Sequence, residues 1–233
     1  MQDMFKEDAA ALLGTRPRWT RRQFVASSLA TGFAAAVQPV RAQTMIETST
    51  EGLIADDIQI PAPAGAFPGY RAMPRNKTHP PVILVVQEIF GVHEHIKDVA
   101  RRLAKAGYMA IAPELFHRQG DVSQFEDIKE IIEKVVSKVP DAQVMDDLDA
   151  TVAWADRNGG DIKRLGITGF CWGGRITWLY AARNPSLDAG VAWYGRLEGP
   201  RSETSPAHPI DVVRQIDAPV LGLYGGADTG IPV

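Results

Sequence analysis

The sequence has few features that could crosslink a fold or attract a charged polymer. Only one of its 233 residues is cysteine, Cys171, so no intramolecular disulfide can form. Its formal net charge is −3, from 25 basic and 28 acidic residues, and so small a charge provides no field that would concentrate a nucleic acid. We therefore expect neither a disulfide-rich module nor a DNA or RNA binder.

Long hydrophobic runs and cofactor signatures are also missing. The apolar run 24–37 has only 14 residues, which is too short to span a membrane. The glycine-rich nucleotide motifs do not occur, and His93 and His95 are two residues apart, which differs from the H-E-x-x-H spacing of a zinc site. The sequence thus predicts no cofactor, no metal ligand and no stable membrane anchor.

The first 42 residues have the layout of an export signal. Arginines cluster in 16–22, the apolar run follows, and V-R-A at 40–42 resembles a cleavage site. T-R-R-Q-F-V at 20–25 resembles the bacterial twin-arginine signal, although Val25 replaces the usual leucine and the lysine that usually follows is absent. We predict that residues 1–42 engage the twin-arginine translocation machinery, and that the protein is periplasmic or secreted. An amphipathic or disordered tail is the alternative.

The remainder, 43–233, alternates strand and helix patterns and predicts a single α/β domain. The β-branched run Pro81–Val86 does not alternate with polar residues, as expected for a strand covered on both faces of a parallel sheet. Asp141 is a candidate N-cap for one of the helices. Strands are predicted at 53–60, 69–73, 81–86, 108–112, 165–168, 189–194 and 220–224, the first two at the sheet edge, and helical periodicity occurs in 96–103, 128–136, 144–154 and 173–183. The order indicates a mostly parallel sheet with helices on both faces.

The most informative motif is G-F-C-W-G at 169–173, between a predicted strand and a predicted helix. A nucleophile on such a tight turn projects above the sheet, and the flanking glycines permit close backbone approach. We expect the helix N-terminus to lower the pKa of the Cys171 thiol and the N–H of Trp172 to hold an oxyanion. The alternatives are an inert buried cysteine and a redox sensor.

Asp228 is placed to serve as the acid of a catalytic triad. It follows the predicted strand 220–224 in a glycine-rich turn, and in hydrolases of this kind the acid comes after the nucleophile, on a turn beyond a later strand. A solvated turn aspartate is the alternative.

These features together resemble the dienelactone hydrolases, cysteine-dependent members of the α/β-hydrolase fold. Q-E-I-F-G at 87–91 and P-E-L-F-H-R at 113–118 match two further motifs of that family, and the resemblance extends from about 53 to 233. It implies hydrolysis of a lactone or small ester, with Glu88 deprotonating the thiol, the N–H of Ile89 completing the oxyanion hole and Arg118 gripping a substrate carboxylate. A cap for the next helix is the alternative role for Glu88, and a solvated loop residue for Arg118.

The sequence departs from the family at the triad histidine. That histidine is expected after Asp228, but only five residues follow, and none of the five histidines is among them. His208 precedes Asp228, which is the wrong order. We therefore expect a C-terminal part of the domain to be missing, and a non-catalytic binding protein or inactive fragment is the alternative to a hydrolase.

Overall fold

The computed structural model describes residues 47–228 and 230–231. The predicted export signal, 1–42, therefore lies outside the described residues.

One seven-stranded sheet organises the described residues, in the order β1-β2-β4-β3-β5-β6-β7. β1 pairs antiparallel with β2 and β2 antiparallel with β4, whereas all the other neighbours are parallel, which confirms the mostly parallel α/β sheet. The prediction that 69–73 is an edge strand is wrong, because β2 pairs on both sides. The strands are β1 Leu53–Ile60, β2 Phe67–Pro74, β3 Pro81–Val86, β4 Met109–Pro113, β5 Asp161–Phe170, β6 Ala189–Trp193 and β7 Val220–Leu223.

Five α-helices in the described residues connect these strands: α1 Glu94–Lys105, α2 Ile128–Lys134, α3 Asp141–Arg157, α4 Trp172–Arg183 and α5 Pro209–Val212. None of the helices in the described ranges combines the length and apolar character that crossing a membrane requires. The predicted N-cap of α3 is wrong: Pro140 occupies that position, and the Asp141 carboxylate instead accepts hydrogen bonds at 2.7 and 2.6 Å from the guanidinium of Arg175.

Two apolar clusters cover the two faces of the sheet. In β3, Leu84 belongs to a cluster with residues of α3 and α4, whereas its neighbour Val85 packs with residues of α1. Successive side chains of a strand point to opposite faces, so helices cover both sides of the sheet. This confirms the expected layering and explains why β3 has no polar face.

Candidate active site

The parallel strands end together at one edge of the sheet, and the predicted site residues follow their carboxyl ends. Val86 is in register with Gly169, and Phe170 with Trp193. Glu88 follows β3 by two residues and Cys171 follows β5 directly. In open sheets of this type, ligands bind beyond the carboxyl ends of the strands.

Cys171 occupies a strained turn between β5 and α4. Its φ of 53° and ψ of −111° lie in a region that non-glycine residues rarely adopt, and its N–H donates to Trp193 O at 2.9 Å. A Cβ on Gly173 would lie 2.4 Å from the carbonyl oxygen of Gln87, and one on Gly169 would lie 2.2 Å from that of Gly173. The glycines of the motif are therefore required by backbone approach, and they bring the end of β3 against the turn.

The thiol of Cys171 is protonated at neutral pH in this geometry. Burial raises its pKa to about 12, the hydrogen bond from the Trp172 N–H opposes the shift, and the charges of Glu88 and Asp228 add to it. The expected lowering by the helix N-terminus is therefore wrong in its net direction, because removal of the thiolate from water outweighs the favourable dipole. Nucleophilic attack by the sulfur of Cys171 therefore requires a group that removes the thiol proton.

Glu88 lies close enough to influence the thiol electrostatically, and it has a partner of its own. Its side chain is 8% exposed, and Oε2 lies 2.9 Å from Nε2 of His93. His93 is the residue before α1, so the bond of Glu88 is to an imidazole ring and not to the backbone of that helix. The sequence singled out Glu88 but not its partner, since the pairing depends on the turn between them.

The carboxylate of Asp228 is fixed by its own loop. Oδ1 accepts hydrogen bonds from the N–H groups of Gly230 at 2.8 Å and Ile231 at 3.0 Å. The negative charge of Asp228 contributes to the raised pKa of Cys171, so this carboxylate is close enough to interact electrostatically with the thiol. Its role as the triad acid stays a prediction.

Of the two predicted oxyanion donors, the N–H of Trp172 interacts with the thiol, whereas for Ile89 the structure gives only its position and burial. The N–H of Trp172 hydrogen-bonds the sulfur, and the indole packs edge-on against Phe116 with 4.8 Å between ring centroids. Ile89 lies in the loop after β3 with its side chain 6% exposed in the core. The role of its N–H stays a prediction.

Arg118 is engaged in an ion pair within the protein. Nη1 donates to Oδ2 of Asp147 at 2.6 Å and Nη2 to Oδ1 at 2.9 Å, while the guanidinium lies over the ring of Phe67 at 5.7 Å. Both terminal nitrogens thus have a carboxylate partner within the protein. The predicted contact with a substrate carboxylate stays a prediction, and it would compete with this ion pair.

His208 does not pair with Asp228 or with the Cys171 thiol in the arrangement described. Its Nε2 lies 3.2 Å from Pro200 O, and its Nδ1 accepts from Nε of Arg175 at 3.3 Å. Both ring nitrogens are therefore used in packing the loop before α5. In the described ranges, no group of three or more histidine, cysteine or acidic side chains could hold a metal ion.

Two residues that the sequence did not indicate lie within the first three positions after β6. Tyr194 has a φ of 38°, and burial raises the pKa of its hydroxyl, with the charges of Glu88 and Cys171 adding to the effect. The charge of Arg196 acts on Cys171 in the opposite sense, lowering the thiol pKa. The signal that would have found both was their position, since β6 ends at the same sheet edge as β3 and β5.

A mostly parallel sheet of this order, with a strand, a strained turn and a helix at its carboxyl edge, defines the α/β-hydrolase fold. The dienelactone hydrolase family matches residues 67–233, and the chain belongs to that family of hydrolases. The resemblance inferred from the sequence motifs is thereby confirmed.

Individual relatives agree with this assignment. The chain is 64% identical over 222 residues to a Methylorubrum extorquens protein named "Putative carboxymethylenebutenolidase", covering 95% of this chain and 76% of the relative. A protein of the same name from Escherichia coli K12 is 54% identical over 209 residues, covering 89% and 77%. A crystal structure named "Putative Dienelactone Hydrolase" from Klebsiella pneumoniae superposes with a TM-score of 0.76 at 58% identity, covering 77% of this chain and 75% of that one.

Proposed function

We propose that the chain hydrolyses a lactone or small carboxylic ester through Cys171 as nucleophile. The observation that carries the proposal is the strained turn that presents Cys171 beside the N–H of Trp172, at the sheet edge where the charges of Glu88 and Asp228 also act. This is the constellation that acyl transfer needs: a nucleophile, an oxyanion donor and a nearby base.

The proposed reaction proceeds through an acyl-thioester on Cys171. Glu88 takes the thiol proton as sulfur attacks the carbonyl carbon, and the N–H groups of Trp172 and Ile89 hold the oxyanion. The carbon–oxygen bond of the ester then breaks, the departing oxygen takes back the proton that Glu88 accepted, and an acyl-thioester remains on Cys171. Water then attacks the thioester as Glu88 takes its proton, the carbon–sulfur bond breaks, and the sulfur receives that proton, which releases the acid and restores the thiol.

A non-catalytic binding protein of the same fold is the second candidate. It is favoured by the raised pKa of the thiol and by the hydrogen bonds of Asp228, which within the described ranges go to the backbone of its own loop. A ligand would then bind beside Cys171 at the carboxyl edge of the sheet without being cleaved.

The test is a panel of lactones and 4-nitrophenyl esters assayed with the purified chain, Cys171→Ala and the exposed-site control Ser202→Ala. We expect hydrolysis by the parent and the control, none by Cys171→Ala, and an acyl adduct on the parent in intact-mass spectra. Undiminished hydrolysis by Cys171→Ala would rule out the cysteine mechanism. Saturable binding of the same compounds without turnover would favour the binding protein.

We also propose that the protein is exported. The support is the order of the arginine pair, apolar run and cleavage-like site in 16–42. Intact mass of the protein from its natural source should give an N-terminus near Gln43, whereas an N-terminus at Met1 would contradict export.

A further inference from the structure

Glu114 connects the loop after β4 to the loop after β3. It follows β4 directly, and it is the second residue of the P-E-L-F-H-R motif, a position to which the sequence resemblance gave no role. Its Oε1 accepts a hydrogen bond from Nε2 of Gln87 at 3.0 Å, and its Oε2 accepts one from the N–H of Val92 at 2.7 Å. The two donors lie on either side of the segment 88–91. One carboxylate therefore holds this loop at both ends.

Glu114 is itself anchored to fixed parts of the fold. Its backbone N–H donates to the carbonyl oxygen of Pro68 in β2 at 2.9 Å, and its carbonyl oxygen lies 3.1 Å from Nδ1 of His117. Oε1 also accepts a longer bond, of 3.4 Å, from the N–H of Phe116. A Cβ on Gly91, whose φ is +74°, would lie 2.9 Å from Oε2, so the loop backbone packs directly against the carboxylate. The loop is thus tied to the sheet through this side chain.

The glutamine at one end of the connection is completely buried. Within the described residues, Oε1 of Gln87 has no hydrogen-bond partner, and Nε2 donates to Glu114. A buried polar side chain with an unpaired oxygen is less stabilising than an apolar side chain of similar size. Stability alone therefore does not account for a glutamine at this position, whereas its bond to Glu114 does.

The loop held in this way carries both groups that the proposed mechanism takes from the end of β3. These are the Glu88 carboxylate and the N–H of Ile89. Within the described ranges, the N–H of Ile89 has no hydrogen-bond partner, although the residue is buried. Oxyanion donors are effective only when their positions are fixed before the reaction begins. A donor on a loop therefore requires a contact that holds the loop in place.

We propose that Glu114 is a positioning residue for the oxyanion hole. By holding Gln87 and Val92, it fixes the N–H of Ile89 where the oxyanion forms. The inference rests on the proposed function, from which it takes the role of the Ile89 N–H. Glu114 acts in this role through the backbone of the loop.

A trifluoromethyl ketone tests the oxyanion hole without turnover. The sulfur of Cys171 adds to the carbonyl carbon, Glu88 takes the thiol proton, and the carbonyl oxygen becomes an oxyanion, so the affinity of the adduct depends on the oxyanion donors. Iodoacetamide alkylates the same sulfur by displacing iodide, and no oxyanion forms. Because Cys171 is the only cysteine, both reagents report on one thiol. Fluorine NMR measures the adduct, and mass spectrometry measures the alkylation.

We expect Glu114→Gln to weaken the affinity of the ketone adduct about tenfold and to change the alkylation rate less than about twofold. The amide keeps only one acceptor oxygen, so either Gln87 or Val92 faces an NH₂ group and the loop is released at that end. The kcat for ester hydrolysis should fall with the adduct affinity while KM changes little, because the oxyanion exists only beyond the ground state. Glu126→Gln removes a carboxylate from an exposed position in the segment after β4 and should leave all these values unchanged.

Gln87→Met tests the same connection from its other end if Glu114→Gln fails to fold. Methionine has a similar length but cannot donate a hydrogen bond, and it removes the unpaired buried oxygen. It should weaken the adduct more than it slows alkylation, as expected for Glu114→Gln. For either variant, equal changes in adduct affinity and alkylation rate, or no change in either, would overturn the proposal.

Hydrogen exchange separates this inference from the proposed function. Exchange of the backbone amides in 87–92, followed by mass spectrometry, reports on the loop without any chemistry at Cys171. Glu114→Gln should accelerate it about tenfold, and unchanged exchange would overturn the proposal even if the parent hydrolyses esters. If exchange accelerates but the parent forms no adduct and cleaves no ester, the proposed function is rejected together with the oxyanion role, whereas the hold of Glu114 on the loop is upheld.

Discussion

Glu88 has opposing effects on Cys171 in the resting site and during the proposed reaction. As an anion near the sulfur, it disfavours the thiolate and contributes to the raised thiol pKa. As the proposed base, it is needed to remove the thiol proton once a substrate is bound. His93 holds the carboxylate at 2.9 Å, so the resting position of Glu88 is defined by this imidazole.

Glu88→Gln is therefore expected to move two measurements in opposite directions. Loss of the negative charge should lower the thiol pKa and raise the rate of alkylation by iodoacetamide at pH 8, roughly threefold for half a pKa unit. Ester hydrolysis should fall at the same time, because the glutamine cannot accept the proton. Alkylation rates and initial rates of hydrolysis at one pH test both effects.

The matched control is Glu198→Gln, which makes the same substitution at an exposed position in the loop after β6. It should leave both rates near those of the parent. If Glu88→Gln lowered alkylation and hydrolysis together, Glu88 would already be activating the free thiol, contrary to the charge effect described here.

At the scale of elements, the turn between β5 and α4 depends on backbone contact with the end of β3. Gly173 is the residue through which that contact is made, since its Cα faces the carbonyl oxygens of Val86 and Gln87. Val86 is the last residue of the central strand β3 and Gln87 directly follows it, and no side-chain rotation can move these backbone oxygens. The position of Cys171 is thus coupled to the packing of α4 on the sheet.

Gly173→Ala should consequently destabilise the fold. Its Cβ would lie 2.4 Å from Gln87 O and 2.5 Å from Val86 O, so backbone must shift, at an expected cost of about 3 kcal/mol or more. Gly166→Ala in β5 is the control, because its Cβ would meet nothing closer than 3.6 Å. Urea unfolding of the two variants measures the difference, and equal midpoints would show that the turn relaxes freely.

The elements themselves could be predicted where their residues form a continuous apolar run or repeat with a regular period. β3 was placed correctly from a continuous apolar run, because both of its faces are covered. β5 begins at Asp161, earlier than the apolar run at 165, since backbone pairing extends past its apolar core. The four-residue helix α5 was not predicted because one turn is too short to show a period.

The candidate site was predictable only where a motif fixes a residue locally. Cys171 and Asp228 are placed by their own turns, which the glycines indicate in the sequence. The pairings of Glu88 with His93 and of Arg118 with Asp147 involve side chains from different elements. No local pattern specifies such pairings, and for the same reason Arg196 was overlooked.

At the scale of the whole molecule, acid should weaken the fold before the carboxylates titrate. His117 stacks on Phe67 with 5.2 Å between ring centroids, and its Nδ1 lies 3.1 Å from Glu114 O. Burial is the largest influence and lowers its pKa from 6.5, with the charge of Arg118 acting in the same direction. The folded state therefore binds this proton less readily than the unfolded chain does.

The sign of the effect follows from proton linkage. Between the unfolded pKa of about 6.5 and the lower folded value, the unfolded chain holds more protons, so the free energy of unfolding decreases as the pH falls through this window. Asp98 has a lowered pKa through its bonds to Thr48 and Arg102, although burial, the largest single influence, opposes them. Its contribution is lost only below about pH 4, in a separate range.

We expect the urea midpoint of the parent to decline from pH 7 to pH 5, and this decline to be smaller in His117→Phe. Phenylalanine keeps the stacking on Phe67 but cannot titrate, so the variant can be less stable at pH 7 and yet show a flatter profile. His79→Asn replaces an exposed histidine and should retain the slope of the parent. An equally steep decline in His117→Phe would assign the acid sensitivity in this range to other groups, because the only change in titration between the two proteins is at residue 117.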